Sequence, residues 1–120
     1  SDCAWMHPQK VKEGNEHSYW TYVVSLDIEK VDWHEFRDKY IEFGGDGIYA
    51  AWKLSYQEPM FRTKAFLNRE DFCNVKCENA EFLQPRLLQF KTNYYHEQDA
   101  IEQMKILKRT IEYFDKEVNA

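Results

Sequence analysis

The sequence has no long apolar run and no excess of basic residues, and each absence excludes a class of protein. No stretch approaches the roughly 20 apolar residues that cross a bilayer, and the first residues show no signal-peptide pattern. Lysine and arginine number 16 against 21 aspartate and glutamate, which gives a net charge of −5. A general nucleic-acid binder would instead carry a basic face. We therefore expect a protein that binds neither membranes nor nucleic acid.

Cysteine is also scarce. The three cysteines are an odd number without a disulfide spacing, which favours a reduced, cytoplasmic setting. Cys73 and Cys77 lie four residues apart, but a zinc site needs further ligands and His96 is the only histidine that follows them. We therefore expect ordinary thiols and no metal site.

The common catalytic motifs are missing as well. The segment FGGDG at 43–47 has neither the spacing nor the following helix of a phosphate-binding loop, so it indicates a helix end and a turn. There is no Gly-x-Ser-x-Gly elbow, and the carboxylates fall on predicted helix surfaces. No complete active site is therefore expected from this chain alone.

Aromatic residues, in contrast, are abundant: eight Tyr, eight Phe and four Trp in 120 residues. Each ring brings about 150–250 Å² of surface that favours burial. The length fits a single domain of about 100–150 residues, whose one core usually holds fewer rings. Either the core is rich in aromatics with tyrosines at its rim, or something outside the chain covers part of this surface.

Periodicity predicts a small α+β domain. Alternating or apolar runs predict strands, and spacings of three and four predict helices. The predicted strands are 18–27 (SYWTYVVSLD), 47–54 (GIYAAWKL) and 86–94 (RLLQFKTNY), and the predicted helices are 32–43, 79–84 and 97–118. Residues between 58 and 78 carry no clear signal. We expect a small, largely antiparallel sheet with the two longer helices packed on it.

Both longer helices carry specific local signals. Asp32 is a candidate N-cap with Glu35 three residues later, and Gly44 or Gly45 provides the left-handed residue that ends the helix. In the last helix one stripe follows helical spacing and is predicted to face the core, formed by Ile101, Met104, Leu107 or Lys108, Ile111, Phe114 and Val118.

Several motifs together resemble the C-terminal part of the DegT/DnrJ/StrS sugar aminotransferases. His17, Ser18 and Tyr19 match the opening of a family strand. The family pattern Trp-Lys-Pro-x-His-x-Gln-Pro-x-Phe is matched at four positions: Trp52, Lys53, Pro59 and Phe61. It is not matched at Leu54, Tyr56 and Glu58. The segment Cys77-x-Asn79-Ala80-Glu81 and the final helix complete a resemblance that covers about residues 5–114.

The resemblance implies a fold and a chemistry. Residues 1–120 would be the single C-terminal small domain of an aspartate-aminotransferase-like enzyme of fold type I. The family's large N-terminal domain, which holds pyridoxal phosphate through a Schiff-base lysine, has no counterpart in this sequence. The intact enzyme would be a homodimer that moves an amino group from an amino acid, with glutamate as the expected donor, to a nucleotide-linked keto sugar. This chain alone would carry no catalytic residue, bind no cofactor and be inactive.

The resemblance also implies substrate-binding residues: His17, Tyr19, Trp52, Lys53 and Tyr56. We expect Trp52 and Lys53 to be partly exposed at the end of the second predicted strand, near His17. Each residue also has an ordinary interpretation, because Trp52 can belong to the core, Lys53 can be a solvated surface charge and His17 can fasten a turn. Two other functions stay open: a stand-alone module that binds sugar or peptide in an aromatic-lined cleft, and a domain that only associates with a partner.

Overall fold

The computed structural model describes residues 3–50, 52–62 and 74–119, and it is an α+β domain as predicted. Its four strands are β1 (Met6–Pro8), β2 (Tyr22–Leu26), β3 (Tyr49–Ala50) and β4 (Leu87–Phe90). Its four helices are α1 (Trp33–Glu42), α2 (Pro59–Arg62), α3 (Glu78–Leu83) and α4 (Glu97–Val118). Two 3₁₀ turns, Ser55–Gln57 and Gln84–Arg86, precede α2 and follow α3.

The strands form one antiparallel sheet in the order β1-β2-β4-β3. All three predicted strands are present but shorter than the apolar runs indicated, and β1 was not predicted at all. A three-residue strand is too short to show a period, and β1 exists because it pairs with β2, where His7 lies opposite Ser25. The sheet is therefore small and largely antiparallel, as expected.

The core lies between one face of this sheet and the helices α1 and α4. Alternation along the strands turns Val24 and Leu26 of β2, and Leu88 and Phe90 of β4, toward the helices. The rings of Phe36, Tyr40 and Phe114 pack against them. The other face of the sheet is not covered by α1 or α4, and this leaves room for a surface groove.

The predicted signals for α1 are confirmed at both ends. The Asp32 side chain accepts hydrogen bonds from the backbone N–H groups of His34 and Glu35. At the other end Gly44 adopts a φ of +95°, and Gly45 donates to the carbonyl of Tyr40 at 2.8 Å. These bonds form the motif that usually ends a helix in glycine. The chain then continues through Asp46 and Gly47 to β3.

The bounds of α4 match the prediction, and much of the predicted stripe packs against the core, where Phe114 is buried and Leu107, Ile111 and Val118 are partly buried. Thr110 and Phe114 are the buried residues of this helix, and the Thr110 hydroxyl donates to the carbonyl of Ile106 at 2.9 Å. Met104 of the predicted stripe is 64% exposed. The buried face therefore extends to one side of the predicted stripe, where Thr110 can be buried because its hydroxyl bonds within the helix. Within the described ranges, no helix combines the length and the apolar character required to span a membrane.

Candidate functional site

Two exposed aromatic side chains mark the end of β3. Tyr49 is 53% exposed and Trp52 is 60% exposed, and their rings meet edge to face with centroids 5.6 Å apart. The carbonyl of Trp52 accepts a hydrogen bond from the Gln84 side chain at 2.8 Å, which ties this segment to the turn after α3. Trp52 therefore belongs to the surface and not to the core.

These rings line a groove of about 680 Å³ on the outer side of the sheet. Tyr49 lies opposite Gln89 of β4, and Val23 of β2 pairs with the same residue, so all three share the face turned away from α1 and α4. A third aromatic residue, Trp20, also lines the groove. Its polar lining consists of Thr21, Asp46, Gln89, Lys91 and Asn93.

Asp46 is fixed by its backbone, and its carboxylate lies between Lys91 and Tyr94. Its N–H donates to Gln103 Oε1 at 2.8 Å, and the Tyr40 hydroxyl donates to the same oxygen at 2.8 Å. The Lys91 ammonium lies 3.7 Å from Asp46 Oδ2. That oxygen is buried and accepts no hydrogen bond from any residue in the described part of the chain. The Asp46–Lys91 pair therefore forms the charged, polar end of the groove.

The Asp46 carboxylate contributes to a raised pKa at two tyrosines. Burial, and then the nearby Asp46 charge, raise the pKa of Tyr40 to about 12. Burial and Asp46 also raise the pKa of Tyr94 well above its ordinary value. Tyrosine is already protonated at neutral pH, and the raised pKa values keep both hydroxyls protonated as hydrogen-bond donors at alkaline pH as well.

The turn before β2 presents Trp20 to the groove. The Thr92 hydroxyl lies 2.7 Å from the carbonyl oxygen of Tyr19 and 2.9 Å from that of Trp20. Tyr19 has a φ of +47°, in the left-handed region, and its N–H donates to Nδ1 of His17 at 2.8 Å. This turn explains why the predicted strand 18–27 begins only at Tyr22, since Tyr19 takes the chain out of the extended conformation.

His17 and Tyr19, two of the predicted site residues, contact each other. Their ring centroids are 4.4 Å apart, and His17 Nε2 lies 3.1 Å from Gln9 Oε1. Neither residue lines the groove. Within the described ranges no hydrogen bond or ring contact joins them to Trp52 or Lys53. The histidine thus fastens a turn, which was its ordinary interpretation.

Lys53 and Tyr56 occupy separate surroundings. Lys53 is exposed beside Trp52 and forms no ion pair with any residue that the structure describes. The Tyr56 hydroxyl donates to the Glu81 carboxylate at 2.5 Å, and the Cys77 N–H donates to the same oxygen at 3.3 Å. Burial and this hydrogen bond raise the pKa of Tyr56 to about 12. Tyr56 therefore anchors the first turn of α3, and its hydroxyl is already occupied.

A second groove lies between α4 and the sheet. It has a volume of about 780 Å³ and is mainly apolar, with Tyr22, Phe90, Met104, Leu107 and Ile111 among its lining residues. This groove contains the part of the predicted α4 stripe that the core does not cover. It offers few polar groups that would orient a polar ligand.

Several groove residues were missed by the sequence analysis. Trp20 was assigned to a strand, and Asp46, Tyr49 and Lys91 carried no motif of their own. The surplus of aromatic residues was the signal that such a surface exists, but it could not say which rings are exposed. Comparison with known proteins adds no assignment: no family model matches the chain, and neither a curated protein nor a solved structure shows significant similarity to it.

Proposed function

We propose that this chain is the small domain of a pyridoxal-phosphate aminotransferase that acts on nucleotide-linked keto sugars, and that the outer groove is its sugar-binding wall. One observation carries the proposal. Trp52, which belongs to the motif resembling the DegT/DnrJ/StrS family, lies exposed in a groove with two more aromatic rings and a polar end.

The groove has the chemistry that a sugar ring requires. Aromatic faces pack against the apolar C–H face of a pyranose, and a few polar groups fix its orientation. Gln89 and Asn93 each offer a donor and an acceptor, while Asp46 and Lys91 supply a charged acceptor and a charged donor. Lys53 extends this surface beside Trp52 as a point charge suited to a diphosphate. His17 and Tyr19 act indirectly, by shaping the turn.

We propose no cofactor site among the described residues. The Schiff base with pyridoxal phosphate requires a lysine whose amine is held in a shielded position, with a phosphate cradle beside it. Every lysine in the described ranges is exposed except Lys39, and the Lys39 ammonium bonds the Glu42 carboxylate at 2.7 Å. We therefore assign amino transfer to a large domain outside these residues, in a homodimeric enzyme with glutamate as donor. This chain binds and orients the sugar. We place the enzyme in the cytoplasm, in agreement with the free thiols of Cys3 and Cys77.

Supplied with pyridoxal phosphate, glutamate and a nucleotide-linked keto sugar, the chain alone is expected to transfer no amino group. The reason is that no described lysine is shielded, so aldehyde adducts should be scattered over surface lysines. Borohydride reduction followed by peptide mass spectrometry counts these adducts, and release of 2-oxoglutarate reports turnover. A single stoichiometric adduct together with turnover would refute the assignment of chemistry to another domain.

Replacing Trp52 or Lys53 with alanine is expected to weaken the binding of UDP-glucose, used here as a probe. Loss of ring stacking should raise Kd about two- to ten-fold for Trp52→Ala. Loss of a charge-assisted phosphate contact should raise Kd about ten-fold or more for Lys53→Ala. Kd is measured in NMR titrations from the indole N–H signals of the tryptophans that line the groove. The signals of Trp5 and Trp33, which lie outside the groove, serve as internal controls.

Lys108→Ala is the matched control for Lys53→Ala. Lys108 is also an exposed lysine, but it lies on α4 beside Glu112 and borders the apolar groove instead. Its replacement should leave Kd unchanged. If Lys108→Ala weakens binding as much as Lys53→Ala does, the effect is one of net charge and Lys53 has no specific role.

A stand-alone sugar-binding module is the second candidate, because the groove already combines three exposed aromatic rings with polar side chains. A module of this kind should bind methyl glucoside nearly as well as UDP-glucose. The small domain of an aminotransferase should instead depend on the nucleotide diphosphate. Comparing the two ligands in the same titration therefore separates these functions.

A further inference from the structure

We propose that Trp20 is a second stacking wall of the outer groove, and that the Tyr19–Trp20 turn is built to hold it there for a pyranose ring. This inference rests on the proposed function and names a binding residue that neither the sequence motifs nor the resemblance assigned. Thr92 and His17 are the positioning residues of the turn.

The exposure of Trp20 is the first observation. Its side chain is 81% exposed, more than any other tryptophan in the structure, while Trp5 is 1% exposed. Tryptophan is usually largely buried, so an indole presented to water at the rim of a groove needs an explanation. Trp20 lines the same groove as Trp52 and Tyr49, so a ligand there would cover it.

Local strain at the neighbouring residue is the second observation. Tyr19 is the one non-glycine residue with a positive φ among the described residues, at +47°. Backbone strain of this kind persists only where surrounding contacts hold it, and it concentrates at binding sites. Glycine or asparagine would adopt this conformation at lower cost in a turn that served only to connect β1 with β2.

Three hydrogen bonds hold this turn in place. The Thr92 hydroxyl shares its proton between the carbonyls of Tyr19 and Trp20, at 2.7 Å and 2.9 Å. His17 Nδ1 accepts the Tyr19 N–H at 2.8 Å. The imidazole is itself oriented by Gln9, whose Oε1 lies 3.1 Å from Nε2. A wall fixed before the ligand arrives needs no ordering on binding, and such preorganisation increases affinity.

The groove favours a pyranose over an apolar group as the occupant. The rings of Trp20, Tyr49 and Trp52 supply apolar faces, and Gln89, Asn93 and the Asp46–Lys91 pair supply groups that bind hydroxyls. A pyranose presents both kinds of surface, with C–H groups on its faces and hydroxyls around its edge. An apolar ligand would leave these polar groups without partners.

The test is an NMR titration of the full 120-residue chain with UDP-glucose, followed at the tryptophan indoles. Trp20→Ala should raise Kd about two- to ten-fold, the range expected for loss of one ring contact. Tyr95→Ala, which removes a ring that is 93% exposed but lies outside the groove, should leave Kd unchanged. Both variants should melt at the wild-type temperature, because both rings are exposed.

The positioning role is tested by a conservative pair at Thr92. Thr92→Val keeps the shape and removes the hydroxyl, so it should shift the Trp20 indole signal of the free protein and raise Kd. Thr92→Ser keeps the hydroxyl and should restore both. If Thr92→Val lowers the melting temperature while the Trp20 signal and Kd stay unchanged, Thr92 is purely structural and this role is overturned.

The remaining outcomes separate this inference from the proposed function. If Trp52→Ala weakens binding while Trp20→Ala binds as the wild type does, Trp20 is not a wall and the proposed function stands. If uridine shifts the Trp20 indole as strongly as UDP-glucose does, the wall contacts the base and the pyranose assignment is wrong. If no indole in the groove responds to UDP-glucose at millimolar concentration, both proposals fail.

Discussion

Replacing Trp5 with alanine is expected to lower the free energy of unfolding by about 3–5 kcal/mol, the range for removal of a large core ring. The side chain is 1% exposed and meets the rings of Phe36 and Phe114 edge to face, at 5.9 Å and 6.1 Å between centroids. It therefore joins the start of β1 to both long helices. Because domains of this kind are stable by only about 5–15 kcal/mol, the loss is a large part of the total.

Urea denaturation of Trp5→Ala and Trp20→Ala gives the cleanest measurement. The second variant makes the same chemical change at a residue that is 81% exposed, so its effect should stay within about 0.5 kcal/mol. Trp5→Phe keeps an aromatic ring but removes the hydrogen bond that Nε1 donates to Asp115 at 2.7 Å, so it separates the contribution of the ring from that of the hydrogen bond. Equal midpoints for Trp5→Ala and Trp20→Ala would show that Trp5 does not belong to the cooperative core.

The long helices could be predicted from the sequence because their signals are local. The cap at Asp32 and the stop at Gly44 depend on backbone groups within a few residues, so the sequence alone specifies both ends of α1. Tertiary packing, however, determines which face of α4 is buried. The buried Thr110 shows that helix position against the sheet, and not the apolar stripe alone, decides it.

The role of Trp5 illustrates what sequence patterns could not show. Its hydrogen-bond partner Asp115 lies 110 residues away in the sequence, and the segment around Trp5 has no readable period. The strand β1 that follows is only three residues long and exists through its pairing with β2. Long-range partners of this kind leave no local trace, so the aromatic count favoured an aromatic-rich core without assigning Trp5 to it.

Of the five residues that the resemblance named, Trp52 lines the outer groove. Trp52 was singled out from a motif and is exposed in the outer groove, whereas Tyr56 bonds Glu81 and His17 fastens the Tyr19 turn. Trp20 was read as part of an alternating strand, and the alternation fails there because Tyr19 adopts a left-handed conformation. The bonds from Thr92 that stabilise this turn span more than 70 residues of sequence. Alternation of apolar and polar residues therefore predicts which face of a sheet a side chain occupies only while the backbone stays extended.

Gly45→Ala is expected to lower the free energy of unfolding by about 1–3 kcal/mol, the usual cost of overpacking a core site. A Cβ at this position would lie 2.4 Å from Cε1 of the Tyr40 ring, well inside van der Waals contact. That ring cannot easily move, because its hydroxyl donates a hydrogen bond to Gln103. It also packs edge to face with the Phe90 ring, with centroids 5.7 Å apart. The backbone between α1 and β3 would have to shift instead.

Gly47→Ala provides the matched control two residues later. A Cβ at Gly47 would meet nothing within 4 Å, and φ there lies outside the left-handed region. Its replacement should therefore be neutral or stabilise the domain by up to about 1 kcal/mol, because alanine restricts the unfolded chain. Denaturation midpoints of the two variants give the comparison. Equal denaturation midpoints for Gly45→Ala and Gly47→Ala would mean that the Tyr40 ring moves aside at little cost in free energy. The Gln103 contact shared by Tyr40 and the Asp46 N–H would then not hold the polar end of the groove rigidly in place.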